Sequence, residues 1–170
     1  MLDEKLVELL NDQVNKEFYS AYLYLSMANY YNEEGLSGFG NWFTIQAQEE
    51  RDHAMLFLEY LQNNGAHVEL KTVEAPKKQF KEFKDPLNES LKHERYVTAS
   101  IHNIYAAASN VKDFRTMQFL DWFVKEQGEE ETNATDLIKK MELFGSDPKG
   151  LYMLDQELAA RTYAAPSLTL

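Results

Sequence analysis

The chain contains no cysteine, and only four prolines and seven glycines interrupt its 170 residues. The missing cysteines exclude disulfide bonds, thiolate metal sites and cysteine nucleophiles. No apolar run approaches the roughly 20 residues that a membrane-spanning helix needs. The first residues, MLDEKLVELL, lack the basic and apolar regions of a signal peptide. These absences predict a cytoplasmic protein with no membrane partner.

Positive charge is also scarce. Lysine and arginine number 17 against 28 aspartates and glutamates, which gives a formal net charge of −11. This balance argues against nucleic acid as a partner and fits a protein that handles cations, although a solvated acidic surface is its commoner cause. The length and the 44% hydrophobic content predict one domain over residues 1–170.

The few helix-breaking residues divide the chain into long helical segments. Helices are predicted over residues 3–34, 37–64, 86–111, 113–144 and 149–161, and no alternating strand pattern competes with them. Two short links predict antiparallel hairpins. The link from Asn64 to Pro86 has about twenty residues and can reach roughly 65 Å, which exceeds the roughly 42 Å length of a helix of about 28 residues. The pattern predicts an all-α four-helix bundle with one long crossover between helices two and three and a short fifth helix.

Each long helix carries a stripe with the spacing of side chains that face a bundle core. A lone glutamate on such a stripe usually reaches water at the core boundary, but polar residues lie near the middle of all four. The stripes are Leu10, Val14, Glu17, Ala21, Tyr24 and Ala28; Phe43, Gln46, Glu50, His53, Phe57 and Tyr60; Leu87, Leu91, Glu94, Thr98, Ile101, Tyr105 and Ala108; and Leu120, Phe123, Gln127, Glu130, Ala134, Leu137 and Met141.

The polar positions repeat between the two halves of the chain. With the same intervals of 33 and 3 residues, they are Glu17, Glu50 and His53, then Glu94, Gln127 and Glu130. Four ionised carboxylates brought together away from water would cost several kcal/mol each. No lysine or arginine lies on the stripes. The positive charge is therefore predicted to come from two divalent metal ions, with His53 and Gln127 completing the ligand set.

The ligand types favour iron or manganese, because carboxylates with a single imidazole suit hard or borderline ions. Zinc competes by affinity alone. Three functions are compatible with such a bundle. They are iron storage, a non-storing di-iron or di-manganese oxidase or peroxidase, and a helical interaction module whose acidic stripe holds structural water.

Two short segments and three single residues form an ordered set along the helices. They are QEERDHA at 48–54, EQGEEE at 126–131, and Glu17, Tyr24 and Glu94. Over nearly the whole chain this set resembles the bacterial non-haem ferritins, whose ferritin-like bundles hold di-iron sites. The resemblance implies iron storage. Fe(II) would be oxidised by oxygen or hydrogen peroxide at a ferroxidase centre, and ferric mineral would be deposited inside a homo-oligomeric cage of 24 subunits.

The resemblance also assigns roles to residues. The first iron would be bound by Glu17, Glu50 and His53, and the second by the bridging Glu50, Glu94 and Glu130, with Gln127 beside it. Tyr24 and Trp122 would lie next to the centre as electron donors or as packing aromatics. The fifth helix would line the four-fold axis of the cage or cap the end of a single bundle.

Two departures from related families carry expectations of their own. Arg51 stands where bacterioferritins carry the haem-binding methionine, so no haem is expected. Met117 and Leu120 stand where animal-type ferritins have the acidic residues of the three-fold pore. The iron entry route of those proteins is therefore not expected here.

Three further glutamates, Glu49, Glu126 and Glu129, each precede a stripe position and are rotated about 100° from the core line. They converge on one flank if helices two and four are antiparallel neighbours. The resemblance implies a third iron site there, and a solvated acidic edge is the alternative. Glu131 is expected to face solvent, and the histidines at 67, 93 and 102 are expected to be ordinary surface or boundary residues.

Overall fold

The computed structural model describes residues 2–76 and 79–170. Within this part of the chain all regular structure is helical. The helices are α1 (Glu4–Glu33), α2 (Ser37–Asn63), α3 (Asp85–Asn110), α4 (Phe114–Phe144) and α5 (Pro148–Ala159). Each end lies within two residues of its predicted position. Residues 77 and 78, which belong to the predicted crossover, and residue 1 of the predicted domain lie outside the described residues.

Helix ends are set by local side chains. Asp3, Asp113 and Asp147 each precede a helix and accept a hydrogen bond from a backbone N–H of its first turn. Such caps satisfy amide groups that have no partner within the helix. Gly35 adopts a φ of +81° in the turn between α1 and α2, a conformation that residues with a Cβ rarely adopt. These signals explain why helix ends could be predicted closely.

Side-chain contacts establish the helix directions. Lys16 of α1 contacts Ser100 of α3 at 2.7 Å. One helical turn later in α1, Ser20 contacts His93, which comes earlier in α3, also at 2.7 Å. Helices α1 and α3 are therefore antiparallel. In α2 the residues His53 and Tyr60 contact Trp122 and Thr116 of α4, so these helices are antiparallel as well. Since α1 and α2 form a hairpin, α2 and α3 run parallel. The predicted bundle topology is confirmed.

The crossover between α2 and α3 follows the outer side of α1. Asn11 Nδ2 donates to the His67 carbonyl at 3.0 Å, and the Tyr31 hydroxyl donates to the Phe83 carbonyl at 2.5 Å. The described part of this connection therefore passes from the first third of α1 to its last turn, as the length argument predicted.

Two apolar clusters fill the ends of the bundle. One surrounds Tyr31 and Phe43 and includes residues of α5, and the other surrounds Phe57 and Phe123. The polar stripe positions lie between the two clusters along every helix. None of the helices in the described part of the chain is both long enough and apolar enough to cross a membrane.

The predicted stripes are buried in α1, α2 and α4, but the stripe of α3 is partly wrong. Leu91, Thr98 and Tyr105 are only half-buried, whereas their neighbours Ser90, Val97 and Ile104 are buried. The reason is the position of α3 against α1. Ser90 faces Tyr24 of α1, while Thr98 and Tyr105 bond to acids on the outer side of α4.

Helix α5 packs against the start of α2. Asp155 Oδ1 accepts a hydrogen bond from the Phe39 amide at 3.0 Å, and Leu154 and Leu158 enter the apolar cluster. A Cβ on Gly38 would lie 1.7 Å from the Asp155 carbonyl oxygen, so glycine permits this close approach. The helix ends at Ala159, two residues before the predicted end, and the chain beyond it turns back along α2.

Candidate metal centre

A buried group of ligand atoms lies in the middle of the bundle. One atom each from Glu17, Glu50 and His53 falls within 4.8 Å of the others. The three residues are at most 2% exposed, and His53 Nδ1 lies 3.5 Å from Glu50 Oε2. Among the described residues this is the one trio of histidines and acids that meets so closely. Helix α1 contributes Glu17, and α2 contributes Glu50 and His53, because the polar positions of the two helices lie at the same height along the bundle.

The second half of the predicted set lies beside this group. Glu94, Gln127 and Glu130 are all buried. Gln127 Nε2 donates to Glu94 Oε2 at 3.0 Å, and the Tyr24 hydroxyl donates to Glu94 Oε1. Glu94 and Glu130 do not belong to the trio within 4.8 Å. Their carboxylates act on one another and on Glu50 electrostatically.

Burial makes these acids hold their protons. Burial, followed by the charge of the nearby Glu50, raises the pKa of Glu17 to about 8 against the opposing effect of His53. Burial followed by the charge of Glu50 raises the pKa of Glu94 to about 8 as well. The pKa values of Glu50 and Glu130 are raised by burial and by neighbouring carboxylates. Without a cation, the four acids cannot all be ionised at neutral pH.

The ligand set fits a divalent metal ion. Glu17 Oε1 accepts a hydrogen bond from Gln13 Nε2 at 2.7 Å, but the buried Glu17 Oε2 has no hydrogen-bond partner in the described part of the chain. A buried carboxylate oxygen without a donor is costly. It faces a site whose other groups, the Glu50 carboxylate and the His53 imidazole, are ordinary ligands of iron and manganese.

Sequence reasoning missed the residues that orient the carboxylates. Gln13 donates to Glu17 and its Oε1 accepts from Ser100 Oγ at 2.6 Å, while Gln46 Nε2 donates to Glu50 Oε1 at 3.2 Å. Gln46 was a stripe position without an assigned partner, and Gln13 lies one helical turn before Glu17. A search for amides four residues from the acids would have found both.

Two aromatic side chains lie beside the site. The Tyr24 ring stacks on Phe43 with centroids 5.8 Å apart and is fully buried. Burial and then the charge of Glu94 raise the pKa of Tyr24 well above its ordinary value, so the hydroxyl keeps its proton. The Trp122 ring lies 5.5 Å from the His53 ring in an edge-on arrangement.

Two surface expectations are corrected. His93 is buried, and its Nε2 lies 2.7 Å from Ser20 Oγ, because α1 packs over this face of α3. Glu131 is half-buried and accepts a hydrogen bond from Thr98 Oγ1 at 2.7 Å. The α3–α4 contact covers it, which periodicity within α4 could not indicate.

Two of the three glutamates on the acidic flank form ion pairs with basic residues. Glu49 Oε2 lies 2.5 Å from Arg161 Nη2, and Glu129 Oε1 lies 3.5 Å from Lys125 Nζ. Burial raises the pKa of Glu126, and the nearby His53 partly opposes this shift. The flank glutamates do not form a trio within 4.8 Å. Arg161, 112 residues from Glu49, gave no signal in the sequence.

Comparisons with known proteins identify the family of this chain. The sequence model of the family described as the ferritin-like domain matches residues 7–144 of this chain. The bacterial non-heme ferritin of Staphylococcus aureus (strain USA300) is 40% identical over 163 residues, which are 96% of this chain and 98% of that protein. The counterpart in Staphylococcus epidermidis is 39% identical over the same shares.

Solved structures agree as well. An open pore ferritin from the hyperthermophilic archaeon Archaeoglobus fulgidus superposes with a TM-score of 0.93 at 44% identity, covering 95% of this chain and 100% of that one. An engineered closed form of the Archaeoglobus fulgidus ferritin gives 0.94 at 43% identity, with 96% and 100% covered. Because the family model matches most of the chain and these relatives are similar over nearly all of it, the chain is a member of the ferritin family.

Proposed function

We propose that this protein stores and detoxifies iron as a single ferritin-like domain over residues 1–170. It binds Fe(II) as a substrate, oxidises it at a ferroxidase centre and releases ferric product for storage as mineral. The observation that carries this proposal is the buried Glu17 Oε2, which has no donor among the described residues and lies in the group with Glu50 and His53. A cation satisfies this oxygen and removes the repulsion among the buried acids.

The first ferrous ion binds to Glu17, Glu50 and His53. Glu50 also bridges to the second ion, which Glu94 and Glu130 bind with Gln127 beside it. Two ferrous ions carry a charge of +4, which balances the −4 of the four ionised carboxylates. Each ion gives up one electron, and the two electrons together with two protons reduce one molecule of oxygen to hydrogen peroxide, or one molecule of hydrogen peroxide to two of water.

Proton release accompanies binding. The carboxyl groups of Glu17 and Glu94, with pKa values of about 8, hold protons at neutral pH until a metal displaces them. The Tyr24 hydroxyl donates to Glu94 and keeps one oxygen of that carboxylate oriented. Tyr24 and Trp122 are positioned to supply an electron to a partly reduced oxidant.

A cage of 24 subunits provides the storage space. Exposed apolar side chains support assembly, since isolated monomers rarely expose such patches. Tyr22 and Leu25 on α1 are 53% and 49% exposed beside a depression shared with α2, and Leu143 and Tyr152 near the α4–α5 corner are 72% and 64% exposed. The cage is proposed to be cytoplasmic and to bind neither nucleic acid nor membrane.

The flank formed by Glu49, Glu126 and Glu129 is proposed as a third, weaker iron site. Burial raises the pKa of Glu49 against the opposing effect of Arg161, and it also raises the pKa of Glu126. No haem is proposed, because Arg51 follows Glu50 and is exposed.

Aerobic titration with excess Fe(II) tests the function. Storage predicts hundreds of irons retained per assembled particle after gel filtration. A non-storing oxidase retains about two irons per chain, as expected for one di-iron site. A helical interaction module neither oxidises nor retains iron, and either of these two results contradicts storage.

A further inference from the structure

The C-terminal tail, residues 160–170, lies against the flank of the metal centre. Tyr163 donates a hydrogen bond to Asp52 Oδ2 at 2.5 Å, and Ser167 Oγ accepts one from Trp122 Nε1 at 2.9 Å. Leu168 packs against the apolar cluster around Phe57. The tail therefore spans the flank between α2 and α4, next to the residues that precede and contact His53.

Arg161 is the charged anchor of this tail. Its Nη2 lies 2.5 Å from Glu49 Oε2, and its Nη1 donates to Gln46 Oε1 at 3.0 Å and to the Trp42 carbonyl at 3.1 Å. The guanidinium also lies 4.3 Å from the Trp42 ring centroid. Four contacts to three residues hold one planar group, an arrangement that suits arginine and not lysine.

The contact with Gln46 reaches the ligands. Because Arg161 donates to the Gln46 oxygen, the amide nitrogen of Gln46 must point the other way, and it donates to Glu50 Oε1 at 3.2 Å. Arg161 thus fixes the orientation of an amide that holds the bridging carboxylate. The same guanidinium neutralises Glu49.

We propose that Arg161 is a positioning residue and the internal counter-ion of Glu49, which a third metal ion must displace before it can use that carboxylate. This inference rests on the proposed iron function of the centre. The guanidinium sets the affinity of the flank for cations and keeps the site selective for two metals at low metal concentration. When Arg161 leaves Glu49 it also leaves the Trp42 ring, so occupation of the flank changes the environment of that indole.

Binding of redox-inactive Zn²⁺ to the metal-free assembled protein tests the proposal without turnover. Calorimetric titration of the native protein is expected to give two tight ions per chain and a weaker third. Arg161→Gln is expected to bind the third ion about tenfold more tightly, within the usual range for coupled binding equilibria. Arg161→Lys keeps the charge but loses the contacts of the planar guanidinium, so its affinity for the third ion is expected to lie between those of the native protein and Arg161→Gln.

A matched control separates this effect from the loss of any arginine. Arg115 also donates to a side-chain amide oxygen, that of Asn64 at 3.0 Å, but lies near the start of α4. Arg115→Gln is expected to bind all three ions as the native protein does. Glu49→Gln, which leaves Arg161 in place, is expected to lose the third ion and keep the first two.

Tryptophan emission supplies a second readout, because both tryptophans of the protein contact the tail. The third Zn²⁺ ion is expected to change the emission of the native protein. Trp42→Phe should remove most of that change, and Arg161→Gln should show the altered emission before metal is added.

The outcomes are distinguishable. Failure of the native protein to bind two ions tightly contradicts the proposed function itself. Two tight ions with a third affinity equal in native and Arg161→Gln proteins overturn the inference alone. An unchanged third site in Glu49→Gln overturns it as well, whether or not the Arg161 variants fold.

Discussion

Gln127 Nε2 lies 3.0 Å from Glu94 Oε2 and donates a hydrogen bond to it across the α3–α4 contact. In the other half of the site the matching position is Glu50, a carboxylate that meets Glu17 and His53 directly. A neutral amide orients a ligand, whereas a carboxylate supplies charge to the metal. The two halves of the site therefore differ in the chemistry of their matching residues, although the spacing of those residues along the chain repeats.

The asymmetry predicts different effects of removing His53 and Gln127. His53→Ala is expected to lower the initial rate of Fe(II) oxidation by at least about 100-fold, because it removes a ligand from the first ion. Gln127→Ala is expected to weaken the second ion by about 10-fold, the lower end of the range for groups that orient metal ligands. Stopped-flow oxidation and Zn²⁺ titration measure the two effects. If His53→Ala and Gln127→Ala lowered the oxidation rate and the affinity for the second ion by the same factors, the asymmetry would be contradicted.

Glu50→Ala is expected to abolish fast oxidation, because one carboxylate is proposed to serve both ions. Without metal, the variant should be as stable as the native protein or more stable, since a buried acid has been removed. Stopped-flow absorbance and urea unfolding provide the measurements. The exposed Glu59 on the same helix supplies a control, Glu59→Ala, which should oxidise iron normally. A native rate in Glu50→Ala would refute the ligand assignment.

The stability of the metal-free protein is expected to fall between about pH 4.5 and about pH 8. Glu17 and Glu94 have pKa values of about 8 when folded, above the 4.5 of an ordinary glutamate. The folded state therefore binds these protons more tightly than the unfolded chain does. This contribution to stability is fully present below about pH 4.5 and is lost as the pH rises through about 8.

Urea unfolding at several pH values checks this dependence. Glu17→Gln combined with Glu94→Gln should flatten it, because the amides carry no titrating proton. Saturating Zn²⁺ should oppose the fall, since metal binding strengthens as protons leave. A metal-free native protein that gains stability over this interval would contradict the proposed burial of the acids.

Glu126→Ala combined with Glu129→Ala should leave the first cycle of oxidation fast, because both residues lie off the group of ligands. The variant is expected to change the ratio of iron oxidised to oxygen consumed and the recovery of activity after a first cycle. Stopped-flow mixing with successive Fe(II) additions, together with an oxygen electrode, measures both. Unchanged stoichiometry and recovery would make this flank an ordinary solvated edge.

Light scattering at neutral pH should give a mass many times the 19.8 kDa of one chain. The exposed apolar side chains on α1 and near the α4–α5 corner become buried when subunits meet. Leu25→Arg should shift the protein toward smaller species, because it places a charge in that contact. A native protein that is only monomeric would contradict the proposed storage function.

Local patterns were enough to predict the helices and much of the core. Breakers and caps act within a few residues, so every helix end was predicted to within two positions. Periodicity placed Glu17, Glu50 and His53 on buried faces for the same reason. In α3 the same method failed at Leu91, because a 3.5-residue stripe does not say which neighbour a helix approaches more closely.

The sequence by itself determined which side chains α1, α2 and α4 turn inward, since there helical geometry and solvation were enough. The tertiary structure decided what those side chains meet. His93 is buried because α1 covers it, and the Gln46 amide is oriented because Arg161 reaches it from the chain beyond α5. Contacts between residues so far apart depend on how helices pack and where the chain turns back, which no local spacing encodes.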